Sequence, residues 1–316
     1  MDNGRFLTPV TATLVRSLGP VMAGIRGVSA WVVAALGLWC LVASRAPAPG
    51  APDLAATAAR LDALEIAITG NVAELRAAQL LNHHRVEGGV AACMKAAGRP
   101  YQPAPYVDRY QDFTDADLGY GTGRASLIDS LTAGGRRIVL NELGFARLHR
   151  AGALDRRAGP GDAEVLNGCT AAYQHRLYHD IEPPAGAYEL ASFQDLLETV
   201  GKDPAVVAAM RPYRTCMKQR HGYTVTDRSD FLFAQRLNRA DAPIEGQPPL
   251  PAWTRGVAEI DAVFAADADC RRPAYEVAMA LVAGLLDAWE DRHRQQLDAI
   301  RAEWRQRIAD AAKLRP

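Results

Sequence analysis

Apolar residues along this chain fall into three patterns. The first is continuous: Gly27–Ser44 reads GVSAWVVAALGLWCLVAS, uncharged between Arg26 and Arg45. A helix of that length covers roughly 27 Å, near the thickness of a bilayer core. The second is a heptad. Leu54, Leu61, Ile68 and Leu75 recur every seven residues, with Leu64 and Val72 beside them. This stripe predicts a helix capped by Asp53 and weakened at Gly70-Asn71. Its apolar face either packs on its own domain or forms a coiled-coil stalk over 54–80. The third is a long amphipathic stripe carrying Val282, Leu286, Trp289, Leu297, Ile300, Trp304 and Ile308. It predicts a helix from Pro273 nearly to the C-terminus, apolar in its first turns and heavily charged later. Such a helix packs first and then projects or pairs with a partner helix, the 54–80 stalk being one candidate.

Shorter elements fill the interval. His83-His84 ends the stalk helix or carries it toward Gly88-Gly89, and a further helical stretch, 90–97, holds Cys93 and stops at Gly98. Residues 99–125 read as an irregular loop. Residues 126–158 carry moderate helical signals, with Arg137–Leu140 as a short strand-like run. Pro160-Gly161-Asp162 opens a helix through Cys169 to about Tyr178. Another helix is expected over about 189–200. Asp203-Pro204 starts one toward Cys216 that Pro212 should kink or split. A Pro-rich loop spans 241–252, and 253–270 is helical by period.

The predicted fold class is mainly α. It combines an N-terminal transmembrane helix, a heptad-like stalk helix, two disulfide-closed helical halves and a long C-terminal amphipathic helix. The expected segments are 1–26 (cytoplasmic), 27–44 (anchor or signal), 45–85 (linker and stalk), 86–182 (first half), 183–272 (second half) and 273–316 (C-terminal helix).

Charge adds a direction. Arg5, Arg16 and Arg26 precede the uncharged run and only Arg45 closely follows it. The positive-inside rule then leaves the N-terminus in the cytoplasm and the bulk of the chain outside a bacterial cell membrane. A cleaved signal peptide is the competing reading and would make the protein secreted. A lipoprotein reading through Cys40 lacks the small residues before it. Formal net charge is +0, so nothing here starts an argument for nucleic acid.

Beyond Cys40 the chain has four cysteines in two repeated words. Cys93-Met94-Lys95 precedes Gly98, and Cys216-Met217-Lys218 precedes Gly222; Cys169 and Cys270 follow downstream. Four cysteines allow three pairings. The repeat favours Cys93–Cys169 and Cys216–Cys270, so that each half closes itself in an oxidising compartment. Four free buried thiols in a cytoplasmic protein are the alternative. The repeat itself reads either as an old duplication or as two chance uses of one helix-end design.

Cys93-Met-Lys-x-x-Gly, Gly119-Tyr-Gly-Thr-Gly, Gly168-Cys169 and Ala266-Asp-x-x-Cys270-Arg resemble words found in a class of uncharacterised secreted or membrane-anchored bacterial proteins. The likeness covers roughly residues 85–310. It departs from the pattern at Arg99-Pro100, where the class usually has an aromatic residue. The resemblance implies an extracytoplasmic, mainly helical, disulfide-bonded protein and no particular activity.

Candidate chemistry is sparse. His175 and His179 stand four apart, a ligand spacing for zinc or copper, although two histidines ending a surface helix are commonly just solvated. His83-His84 and His221 lie near the Cys-Met words and suit Cu(I) only if those cysteines are free. The glycine-rich 119–124 word lacks a P-loop lysine and reads as a turn. Asp267 and Asp269 are either local helix charges or a calcium-type pair. No cofactor is implied. The leading functional expectation is a membrane-anchored, extracytoplasmic protein with a binding or structural role in the cell envelope. It would contact a protein partner, or itself, through 54–80 and 282–308. A hydrolase of envelope polymers and a metal-handling protein are the alternatives.

Overall fold

The computed structural model describes residues 52–118, 131, 134–153, 157–174 and 191–314. The uncharged run 27–44, the 119–124 word, His175 and His179 lie outside them. Among the described residues no helix is long and apolar enough to cross a membrane.

The described residues are mainly helical: α1 (Leu54–Thr69), α2 (Val72–Ala96), α3 (Gly134–Arg150), α4 (Ala163–Gln174), α5 (Ala191–Gly201), α6 (Pro204–Met210), α7 (Tyr213–His221), α8 (Arg228–Phe233), α9 (Pro251–Ala283) and α10 (Leu286–Ala312). A two-residue antiparallel ladder pairs β1 (Tyr101–Gln102) with β2 (Arg157–Ala158).

The heptad stripe lies inside the domain. Leu61 and Ile68 join Phe193, Ala274, Val282, Leu286, Trp289, Ile300 and Trp304 in one buried cluster. The coiled-coil expectation is therefore corrected. Helices α9 and α10 of the same chain cover the stripe, and α1 does not continue into α2. The break has a steric cause. At Gly70 a Cβ would lie 2.6 Å from the Trp304 ring, and φ is 98°, a conformation that favours glycine. The Trp304 indole N–H donates to the Ile68 carbonyl at 3.2 Å, so it occupies the gap as a bonded plug. Asn71 restarts the helix with a capping box to Glu74. Buried Glu74 also accepts from Arg301 on α10 at 2.5 Å. The C-terminal stripe thus closes on α1 and α2 of its own chain, while Ile308 near its end stays exposed.

Several boundaries differ from the sequence expectation. Helix α2 runs unbroken through Gly88-Gly89. Two interior glycines cost about 1 kcal/mol each relative to alanine. Burial of Ala77, Leu80, Val86, Val90 and Met94 outweighs that. Arg137–Leu140 is helical, not a strand: Ile138, Val139 and Leu143 of α3 pack with Ile260 and Trp253 of α9. Pro212 splits rather than kinks, separating α6 from α7. Pro273 does neither. Helix α9 passes through it and ends at Ala283, beyond the end at Cys270 that the pattern predicts. Proline removes the bond to the Asp269 carbonyl. Fixed groups on both sides hold the turn: Cys270 in its disulfide and fully buried Ala274 and Ala278. Residues Gly50–Pro316 form one compact unit, and both disulfide loops lie within it.

Candidate functional site around the second disulfide

Among the described residues two disulfides are present, Cys93–Cys169 and Cys216–Cys270, with Cα–Cα distances of 5.7 and 5.6 Å. Each joins a cysteine on one helix (α2 or α7) to a buried cysteine on a later one (α4 or α9).

The helix ends beside them are built alike. Gly98 and Gly222 both have positive φ, 69° and 77°. In the first, the Arg99 amide donates to the Met94 carbonyl at 2.9 Å and the Gly98 amide to that of Lys95 at 3.0 Å, a Schellman closure. In the second, the Tyr223 amide donates to the Met217 carbonyl at 3.0 Å and the Gly222 amide to that of Lys218 at 3.2 Å. The methionine carbonyl takes the amide after glycine in both cases. The second ring is one residue wider, which is the structural meaning of its longer Cys-to-Gly spacing. Met94 and Met217 are fully buried, so both act as core filling.

The surroundings differ. Around the first bond Val86, Val90, Met94 and Cys169 cluster with Tyr101, Val165 and Leu166. Its polar ties are structural: Glu87 accepts from the Tyr101 hydroxyl at 2.6 Å and the Ala104 amide at 2.8 Å. The second bond sits between two ionic layers. On the inner side Asp267 is buried, accepting from the Tyr213 hydroxyl and Arg228 Nε at 2.7 Å each and from Arg271 Nε at 3.1 Å. Burial pushes the Asp267 carboxyl up, but the Arg228 bond and charge, with Arg271 and Tyr213, outweigh it and hold it below its ordinary range. Burial, then the Asp267 charge, push the Tyr213 hydroxyl up.

On the outer side Asp269 Oδ2 meets His221 Nε2 at 2.8 Å and Arg220 Nη1 at 2.9 Å. The His221 bond and the charges of Arg220, His221 and Arg272 hold the Asp269 carboxyl low. The sequence offered Asp267 and Asp269 as a pair. The helix separates them, because residues two apart point to nearly opposite sides at about 100° per residue. One faces the core and the other the second disulfide.

Cys216, His221, Asp269 and Cys270 gather here, their donor atoms all within 4.8 Å of one another. Helix α7 supplies the first two and α9 the last two. His221 is the only histidine among the sequence candidates that joins such a group among the described residues. Tyr213 and Arg228 had no local sequence signal. They reach Asp267 from 54 and 39 residues away, and only packing brings them together.

Compared with protein-family models, curated proteins and solved structures, the chain matches none.

Proposed function

We propose that this chain is a membrane-anchored, extracytoplasmic helical protein with a binding or structural role in the bacterial cell envelope. The observation that carries the reading is the pair of disulfides Cys93–Cys169 and Cys216–Cys270, because disulfides form in oxidising compartments. The uncharged run 27–44 and the arginines before it supply the route out of the cytoplasm and the orientation. The resemblance to secreted or membrane-anchored bacterial proteins points the same way. The role is presentation of a rigid helical body beyond the membrane, where a protein partner meets it.

The test is topological. Full-length chains carrying alkaline phosphatase or a green fluorescent reporter at the C-terminus are expressed in bacteria. Active phosphatase, dark fluorescence and a membrane-pelleted chain are expected. Fluorescence with inactive phosphatase, or unmodified thiols that react fully with a maleimide in non-reduced cells, overturns the reading. Affinity capture of the full chain from envelope extract, read by mass spectrometry, then identifies the partner.

A further inference from the structure

We propose that the Cys216–Cys270 corner is a redox-gated metal site that binds Zn2+ through Cys216, Cys270, His221 and Asp269 once the disulfide is reduced. The proposal does not depend on the membrane anchor.

The donor set comes first. Two thiolates, an imidazole and a carboxylate are the ligand types that zinc takes in four-coordinate sites. Zn–S bonds of about 2.3 Å place two ligated sulfurs roughly 3.8 Å apart in a tetrahedron. The oxidised sulfurs are 2.00 Å apart on backbone positions 5.6 Å apart. Rotation about the cysteine side chains can open that gap without moving the helices. The remaining donors already stand near: all four atoms lie within 4.8 Å, and His221 Nε2 and Asp269 Oδ2 are 2.8 Å apart. Closing the longest separations by about 1 Å, with the His221–Asp269 pair opening by about 0.5 Å, completes the ligand shell.

The setting favours a held site over a loose one. Cys270 and Asp269 belong to α9, anchored one turn away by buried Asp267 and Arg271. Cys216 belongs to α7, anchored by fully buried Met217 and by Tyr213 bonded to Asp267. The Gly222 closure ends α7 at His221 and holds that residue against α9. Access is present too: Cys216 and Asp269 are half-buried, and the His221 side chain is 28% exposed. Charge is also accommodated. Zn2+ with two thiolates and one carboxylate leaves one net negative charge, and Arg220 and Arg272 face Asp269 to offset it.

The chemistry balances with a dithiol reductant of the thioredoxin class. Its thiolate attacks one sulfur of Cys216–Cys270, the S–S bond breaks, and a mixed disulfide forms. The second reductant thiol resolves it. Two electrons and two protons have then moved to Cys216 and Cys270, and the reductant carries the new disulfide. Zn2+ displaces both thiol protons on binding. Exchange with the disulfide form of the same reductant class takes the two electrons back, re-forms Cys216–Cys270 and releases the ion. The first corner lacks this capacity among the described residues, where no such ligand group surrounds Cys93 and Cys169.

The full-length chain is purified oxidised and after reduction with a phosphine, which competes for zinc far less than a dithiol and is removed before titration. Zn2+ is titrated against a chromogenic chelator. One Zn2+ per reduced chain is expected, with affinity at least 100-fold above that of the oxidised chain. X-ray absorption should show two sulfur ligands. His221→Ala and Asp269→Asn should each weaken reduced-state binding at least tenfold, while their oxidised forms keep the parental circular dichroism. Equal affinity in both redox states overturns the proposal. So does zinc binding that neither variant weakens, which would place the ion away from His221 and Asp269, and so does a reduced chain that binds no stoichiometric zinc.

Discussion

At the Cys93–Cys169 corner Cys169 packs with Val86, Val90, Met94 and Leu166 while Cys93 is exposed, and Glu87 on the same helix is consumed in holding a loop. At the Cys216–Cys270 corner the same kind of staple divides a buried Asp267 cluster from an accessible His221–Asp269 pair. Both use a methionine as core filler and a glycine to end the helix. The repeated words encode the staple alone. What each staple can do chemically depends on residues elsewhere, and among the described residues only the second has a histidine and a carboxylate gathered around its cysteines.

The strongest way to test that the staples themselves are equivalent is to remove each. Their loops span 76 and 54 residues. The chain-entropy model gives roughly 4–5 kcal/mol for either, with almost no difference between them. Cys93→Ala/Cys169→Ala and Cys216→Ala/Cys270→Ala should therefore lose similar stability in urea unfolding. A much larger loss at one corner would show that its bond also carries native-state packing.

The corners should separate next under Asp267→Asn. Removing the charge leaves Arg228 and Arg271 buried without their anionic partner, which costs about 3–5 kcal/mol. The same link makes the second corner acid-sensitive. The folded Asp267 pKa is depressed, so its stabilisation is present above the ordinary carboxylate range and is lost as pH falls below roughly 4. Hydrogen exchange between pH 5 and 3 should show α7 and the middle of α9 loosening before α2 and α4. Simultaneous loosening would refute the assignment.

Met94→Ala and Met217→Ala should each cost about 2–5 kcal/mol, alike at both corners, by urea denaturation. Divergence would mean that the two methionines are not equivalent fillers. The smallest effect belongs to His221→Ala. On an accessible pair it should leave the melting temperature of the oxidised protein unchanged, since such ion pairs contribute little. A clear drop would make His221 a structural residue rather than a ligand.

Local chemistry made the helical class legible. Asp53, Asp203 and Pro212 act where short-range rules put them, as caps and a breaker. The paired Cys-Met-Lys words point to within-half bonds, and the structure has those two bonds. The strand-like reading of Arg137–Leu140 failed because β-branched Ile138 and Val139 carry a weak local preference that packing on α9 overrides. Pro273 misled for the same reason, its missing hydrogen bond being outweighed by anchored neighbours. The heptad stripe had two readings, packing on its own domain or forming a stalk, and the structure has the first; periodicity reports which face is buried and not what buries it.

By itself the sequence determined the helix caps at Asp53 and Asp203, the break at Pro212, which faces are apolar, and which helices carry sulfur. These are properties of residues within a few positions of one another. The tertiary structure decided that Trp304 plugs the break at Gly70, that Asp267 turns inward while Asp269 turns outward, and that His221 meets a residue 48 positions away. Such contacts depend on how distant helices are brought together, and no local pattern encodes that.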